Sequence, residues 1–272
     1  TSEGFLIYNS SNLFPCLCVF VCTFTYQRTT MTSSAMTENK PNLLRVAAAY
    51  GVHLFTATGA IWGLLGIFAV FEGNYKMMIV WMIVAMLVDG FDGTLARWAD
   101  VKTYGKGVDG ALLDNILDYL NYVLVPAIFM IKTDLLPESV KWLTACLILL
   151  SSAYQFTQTD AKTDDHHFKG FPSYWNVAAL YMLLMNLSPW VNFGFLMLFN
   201  IMVFIPVKYI YPSRNSYLRT LTLALTYLYG AIGIWGLLLY PNTPSWIVWA
   251  SFLYVGYYLV LSVIPKNKNH AA

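Results

Sequence analysis

The chain has 272 residues, of which 58% are hydrophobic and only 11% charged, and its formal net charge is +2. A soluble domain carries about 25% charged residues, so the composition excludes an ordinary soluble globular protein. The small charge excess gives no argument for nucleic acid as a partner.

Residues 1–40 differ from the rest. The run "NLFPCLCVFVCTFTYQ" (12–27) is short of the ~20 apolar residues a spanning helix needs, and no basic segment precedes it as in a secretory signal. Met31 and Met36 lie just before the regular pattern begins. The segment 1–40 is therefore read as an N-terminal extension, disordered or upstream of the true start. An additional membrane anchor is the other reading. Cys16, Cys18, Cys22 and Cys146 form neither a disulfide framework nor a zinc spacing.

From residue 42 the sequence predicts eight apolar spans: 46–71, 76–97, 109–132, 138–158, 172–187, 190–211, 217–240 and 244–264. Turn residues separate several of them, as in "EGN" at 72–74 and "YPNTPS" at 240–245. The expected fold is all-α, a polytopic membrane helix bundle of about eight transmembrane helices within residues 41–268. Nine Trp and 19 Tyr suit aromatic belts at the two interfaces. Basic residues then set orientation. One set of loops holds Arg45, Arg97, Lys102, Lys106, Lys162, Lys169, Lys208, Arg214, Arg219, Lys266 and Lys268, while the other holds only Lys76, Lys132 and Lys141. Eleven against three predicts that both termini face the cytoplasm.

Between spans two and three, on that same side, the window from 89 to 122 holds six aspartates. Asp89 and Asp92 are three apart, and Asp114 and Asp118 are four apart, so each pair shares a helix face. The two helices are consecutive and antiparallel, which lets the pairs face each other. An unpaired carboxylate at membrane depth costs about 2.5–3.5 kcal/mol, and Arg97 is the only nearby cation in these helices. Divalent metal ions offer the economical balance, since hard cations such as Mg²⁺ or Mn²⁺ take all-oxygen ligands. Asp100 falls in the connector, and Asp109 is placed as the N-cap of span three. Gly90, Gly93 and Ala96 make a bare stripe beside the acids, suited to helix packing or to close approach of a ligand.

This window resembles the signature of the CDP-alcohol phosphotransferases: D-x-x-D-G-x-x-A-R, a spacer, then G-x-x-x-D-x-x-x-D. The matching residues are Asp89, Asp92, Gly93, Ala96 and Arg97, then Gly110, Asp114 and Asp118. The spacer departs from the usual pattern, because twelve residues (98–109) stand where it has fewer. That longer spacer, the eight-span layout and "KTDDHHFKGFPSYWN" (162–176) are similar to the bacterial branch that makes phosphatidylcholine. The resemblance covers roughly residues 42–265. It implies the CDP-alcohol phosphotransferase fold, a place in the bacterial inner (cytoplasmic) membrane, and transfer of the phosphatidyl group of CDP-diacylglycerol to choline with release of CMP. It also implies that Asp89, Asp92, Asp114 and Asp118 hold two divalent ions, Mn²⁺ preferred and Mg²⁺ the other candidate. Asp118 would double as the general base. Gly90, Gly93, Ala96, Arg97 and Gly110 would meet the nucleotide, with the acyl chains left among membrane lipids. No covalent intermediate is implied, and a homodimer is left open.

Lys208 and Arg214, near the end of span six, are read either as topology-setting charges or as a clamp on the lipid phosphate. Choline is a quaternary ammonium that aromatic faces hold. Tyr122, Tyr154 and Trp175 are the candidate faces, and Tyr174 is another. His166 and His167 are read as a solvated loop beside Asp164 and Asp165, and His53 as a packed histidine. Two other functions compete with choline transfer. One is a family enzyme for another alcohol, such as a phosphatidylserine synthase. The other is a non-enzymatic metal transporter, which usually carries its ionisable groups near the midplane, often within repeats.

Overall fold

The computed structural model describes residues 42–158, 167–210 and 218–263. The extension 1–40, Arg214, Asp164, Asp165 and His166 lie outside the described residues, and so do the side chains of His167 and Lys208.

Among the described residues, eight apolar helical segments follow one another, close to the predicted spans. The first is Leu43–Phe71, divided at Thr58 into α1 (Leu43–Ala57) and α2 (Gly59–Phe71). Asn42 caps α1 by accepting from the Leu44 N–H. Next come α3 (Tyr75–Trp98) and, after one short turn α4 (Val101–Tyr104), the third span. That span is α5 (Gly110–Asp118), a π-helical turn Tyr119–Leu124, and α6 (Val125–Lys132). Then follow α7 (Lys141–Thr157), α8 (Trp175–Met185), α9 (Pro189–Phe204), α10 (Arg219–Leu238) and α11 (Ser245–Val263). Five of the eight segments are long and apolar enough to cross a bilayer, and α8 and α9 are shorter apolar helices. The chain is a multi-pass helical membrane protein.

Several boundaries differ from the sequence reading by a few residues, and three departures have a visible cause. The fifth span starts at Trp175 rather than at 172, because Ser173 takes a left-handed backbone (φ 57°) that cannot continue a helix. The sixth stops at Phe204 rather than running to 211. Pro206 follows it, and a short antiparallel ribbon then pairs β1 (His167–Lys169) with β2 (Lys208–Ile210), Lys169 opposite Lys208. The third span contains the π turn, and its cause is local. Pro126 has no N–H for the helix ladder, and its ring displaces the carbonyl four residues back, that of Tyr122.

The core lies where α3, the π turn, α6, α7, α8 and α9 meet, and it includes Met78, Ile79, Val123, Phe129, Ile148, Trp175 and Leu196. Many large apolar side chains, such as Leu64, Phe68, Leu150 and Leu253, are exposed, as expected of helices that face lipid tails. The helix α2 approaches the third span on its glycine side. Asn121 donates its amide to the carbonyls of Gly59 and Leu117, which fixes the side chain between the two helices. A Cβ at Gly63 would stand 2.6 Å from Asn121 Oδ1 and 3.1 Å from Leu120. Gly63→Ala is therefore expected to destabilise the protein by about 1–3 kcal/mol, read as a lower melting temperature in detergent. A melting temperature equal to that of the wild type would show that α2 moves away at no cost.

Candidate active site

The cleft is built at the end of α3 and the start of α5, with α1 closing one side. It is lined by Asp89, Asp92, Asp114 and Asp118 together with Thr56, Asn121 and Tyr122. Helical spacing places the two acids of each pair on one face. Asp109 starts α5 by accepting from the N–H groups of Ala111 and Leu112, which leaves Asp114 and Asp118 one and two turns in.

One carboxylate oxygen from each of Asp89, Asp114 and Asp118 lies within 4.8 Å of the others, and all three side chains are half-buried. Like charges held this close in a poorly hydrated place repel. A cation among them removes the repulsion, and three hard oxygen donors suit a divalent metal ion. The donor set thus fits the metal that the motif implies. Asp92 lies apart from this cluster. It is buried and accepts a 3.1 Å hydrogen bond from the Thr56 hydroxyl of α1. Asp89 accepts a 2.6 Å hydrogen bond from the Tyr122 hydroxyl, which steadies one of its oxygens. The π turn after Asp118 carries Tyr122, so the irregular backbone sits directly below the acids.

The other residues singled out in the sequence fall on α3, α5, α7, β2 and the start of α8. Gly90 is exposed, with no atom within 4 Å of where a Cβ would stand, so the surface of α3 beside Asp89 is bare. Arg97 is exposed one turn beyond Gly93 and donates to the Thr94 hydroxyl at 2.9 Å; Ala96 is half-buried on the same helix. Gly110 opens α5, and Lys208 sits in β2. The structure does not bring Tyr154 or Trp175 into the cleft. Tyr154 is half-exposed on α7, its ring 5.1 Å from that of Phe204. Trp175 is fully buried, and its indole N–H donates to Ser152 at 2.6 Å; a ring so enclosed offers no face to a ligand. Tyr174, one residue earlier, remains exposed at the start of α8. Two contributors, Thr56 and Asn121, were not singled out in the sequence. Their only signal there is a polar side chain at helical spacing inside an apolar run.

The signature acids thus meet in a single cleft, and comparison with known proteins agrees with the pattern. The family model for CDP-alcohol phosphatidyltransferases matches residues 38–210. The chain belongs to this family. Among its relatives is a phosphatidylcholine synthase of Legionella pneumophila, 44% identical over 222 residues, which are 79% of this chain and 87% of the relative. Phosphatidylcholine synthases of Borreliella burgdorferi and Pseudomonas aeruginosa are 41% and 38% identical over 183 residues, 67% of this chain in both cases and 78% and 77% of the relatives. In CDP-alcohol phosphatidyltransferase terms, the matched region takes in α1 to α9 and the whole aspartate cleft, and it ends at β2.

Proposed function

We propose that the chain transfers the phosphatidyl group of CDP-diacylglycerol to choline, giving phosphatidylcholine and CMP, and that the aspartate cleft performs the transfer. The observation that carries this reading is the meeting of Asp89, Asp114 and Asp118 within 4.8 Å, in a chain whose relatives are phosphatidylcholine synthases. Asp89, Asp92, Asp114 and Asp118 would hold two divalent metal ions, Mn²⁺ in preference to Mg²⁺. Bound there, the ions supply counter-charge for the phosphate oxygens as the displacement proceeds.

The protein groups divide the remaining work. The bare surface at Gly90, with Gly93 under the Arg97 guanidinium and Ala96 on the same helix, receives the cytidine diphosphate, while the acyl chains stay among membrane lipids. An Asp118 carboxylate oxygen accepts the proton of the choline hydroxyl. The choline oxygen then bonds to the phosphorus that carries diacylglycerol, the bond from that phosphorus to CMP breaks, and CMP leaves. Donor and acceptor are held together, so the transfer is direct and needs no protein nucleophile. Tyr122 lines the cleft and holds Asp89 in place through its hydroxyl, and the Tyr174 ring is exposed at the start of α8. The Tyr174 face, with the part of Tyr122 that lines the cleft, suits a trimethylammonium group, which cannot hydrogen-bond and is attracted to aromatic faces. Lys208 and Arg214 are assigned to the lipid phosphate on sequence position.

The loop-charge bias of eleven to three supports a cytoplasmic active site, and bacterial relatives support the inner membrane. The acceptor is tested directly. Purified protein with CDP-diacylglycerol and Mn²⁺ is given radiolabelled choline, serine, inositol phosphate or glycerol phosphate in turn. Choline is expected to be incorporated into lipid at least tenfold faster than the others. Faster incorporation of serine would make the chain a phosphatidylserine synthase instead.

A further inference from the structure

The twelve-residue spacer, 98–109, runs across the cytoplasmic end of α1, and three residues of α1 hold it. The Arg45 guanidinium lies 5.5 Å from the centre of the Tyr104 ring. The Tyr50 hydroxyl donates to the Lys106 carbonyl at 2.6 Å. His53 stands between them and the start of α5. The residue is 8% exposed, and Nε2 is buried with no hydrogen-bond partner.

Beside this ring stand the Tyr50 ring, edge-on with centroids 6.3 Å apart, and two glycines. A Cβ at Gly105 would stand 2.9 Å from His53 Nε2, and one at Gly110 would stand 3.1 Å from Cε1 and 3.5 Å from Nδ1. At Gly105 the Val101 carbonyl and side chain crowd the same point, whereas at Gly110 the histidine is the only nearby group. Gly110 is the signature glycine that opens α5. Its missing side chain makes room for His53. Burying a ring nitrogen unpaired is costly, and an apolar side chain would fill the space without that cost. Simple core filling therefore does not account for a histidine at this point.

We propose that His53 is a positioning residue: its ring is the seat against which the spacer is laid and Gly110 is docked. The seat fixes where α5 begins. It thereby fixes Asp114 and Asp118, one and two turns on, relative to Asp89 of α3. The helix α1 then aligns both halves of the signature, since Thr56, three residues after His53, holds Asp92.

This inference rests on the transfer reaction proposed above, so its test carries a readout that does not depend on turnover. Full-length His53→Ala, His53→Gln, Gly110→Ala and the double variant His53→Ala/Gly110→Ala are purified in detergent. Mn²⁺ binding is followed by electron paramagnetic resonance and turnover by CMP release. His53→Ala is expected to weaken Mn²⁺ binding and to lower kcat tenfold or more, with the KM for choline changed less than twofold. His53→Gln, which keeps the length, is expected within about threefold of the wild type. Gly110→Ala is expected to lose several-fold in both readouts, and the double variant to be no worse than His53→Ala, because the added Cβ meets nothing once the ring is gone. Three results would overturn the proposal: a double variant worse than His53→Ala by the full Gly110→Ala factor, His53→Gln as impaired as His53→Ala, or unchanged Mn²⁺ binding in His53→Ala. If wild-type protein bound Mn²⁺ but released no CMP, the transfer reading would fall, while the binding comparison would still judge the seat.

Discussion

Asp118→Asn is expected to lower turnover by about 10²–10⁴-fold, the range that a positioned general base contributes. The amide keeps the size of the side chain but cannot take the choline proton, and it is a poorer ligand for a divalent ion. Asp89 and the bare surface of α3 at Gly90 are untouched, so binding of CDP-diacylglycerol is expected to persist. Release of CMP measures the first effect, and retention of labelled CDP-diacylglycerol by the purified protein measures the second. Turnover equal to that of the wild type would remove Asp118 from the role of base.

Asp89→Ala is expected to cost both binding and turnover. Asp89 is the α3 member of the three-carboxylate cluster and also the acceptor for Tyr122. Its loss leaves Asp114 and Asp118 facing each other without the third ligand, and strands a buried phenol hydroxyl. Activity is expected to fall by 100-fold or more, by order of magnitude, and Mn²⁺ affinity to fall with it. Tyr122→Phe removes only the steadying hydrogen bond. A bond to a charged group contributes about 1.5–3 kcal/mol, so the loss in kcat is expected nearer tenfold. If Tyr122→Phe were as damaging as Asp89→Ala, the phenol would be acting on substrate rather than on the carboxylate.

These expectations draw on features that differ in how far the sequence revealed them. The spacings of three and four residues placed the acids on helix faces, because helical periodicity is a local property. The apolar runs placed the spans for the same reason. The turning of Asp92 toward Thr56 is not local. It depends on how α1 crosses α3, and no pattern within either helix encodes that crossing. The π turn had a visible signal in Pro126, four residues after Tyr122, but the register it sets for Tyr122 emerges only with the backbone. Trp175 shows the limit most clearly. An aromatic residue at the predicted end of a span can face lipid, ligand or core, and the Ser152 hydroxyl that draws its indole N–H inward lies 23 residues away. The ends of the fifth and sixth spans were set by the left-handed Ser173 and by the β1–β2 ribbon, both tertiary features superimposed on apolar runs.

The central claim is that the cluster of Asp89, Asp114 and Asp118 performs a metal-dependent phosphatidyl transfer. Its most direct test is a paired measurement of CMP and phosphatidylcholine made by the purified protein from CDP-diacylglycerol and choline, before chelation, after chelation and after Mn²⁺ is returned. The expected result is equal amounts of the two products, loss of both on chelation with the helices intact by circular dichroism, and recovery of both when Mn²⁺ is restored. Transfer that continues at the full rate in chelated protein would contradict the claim.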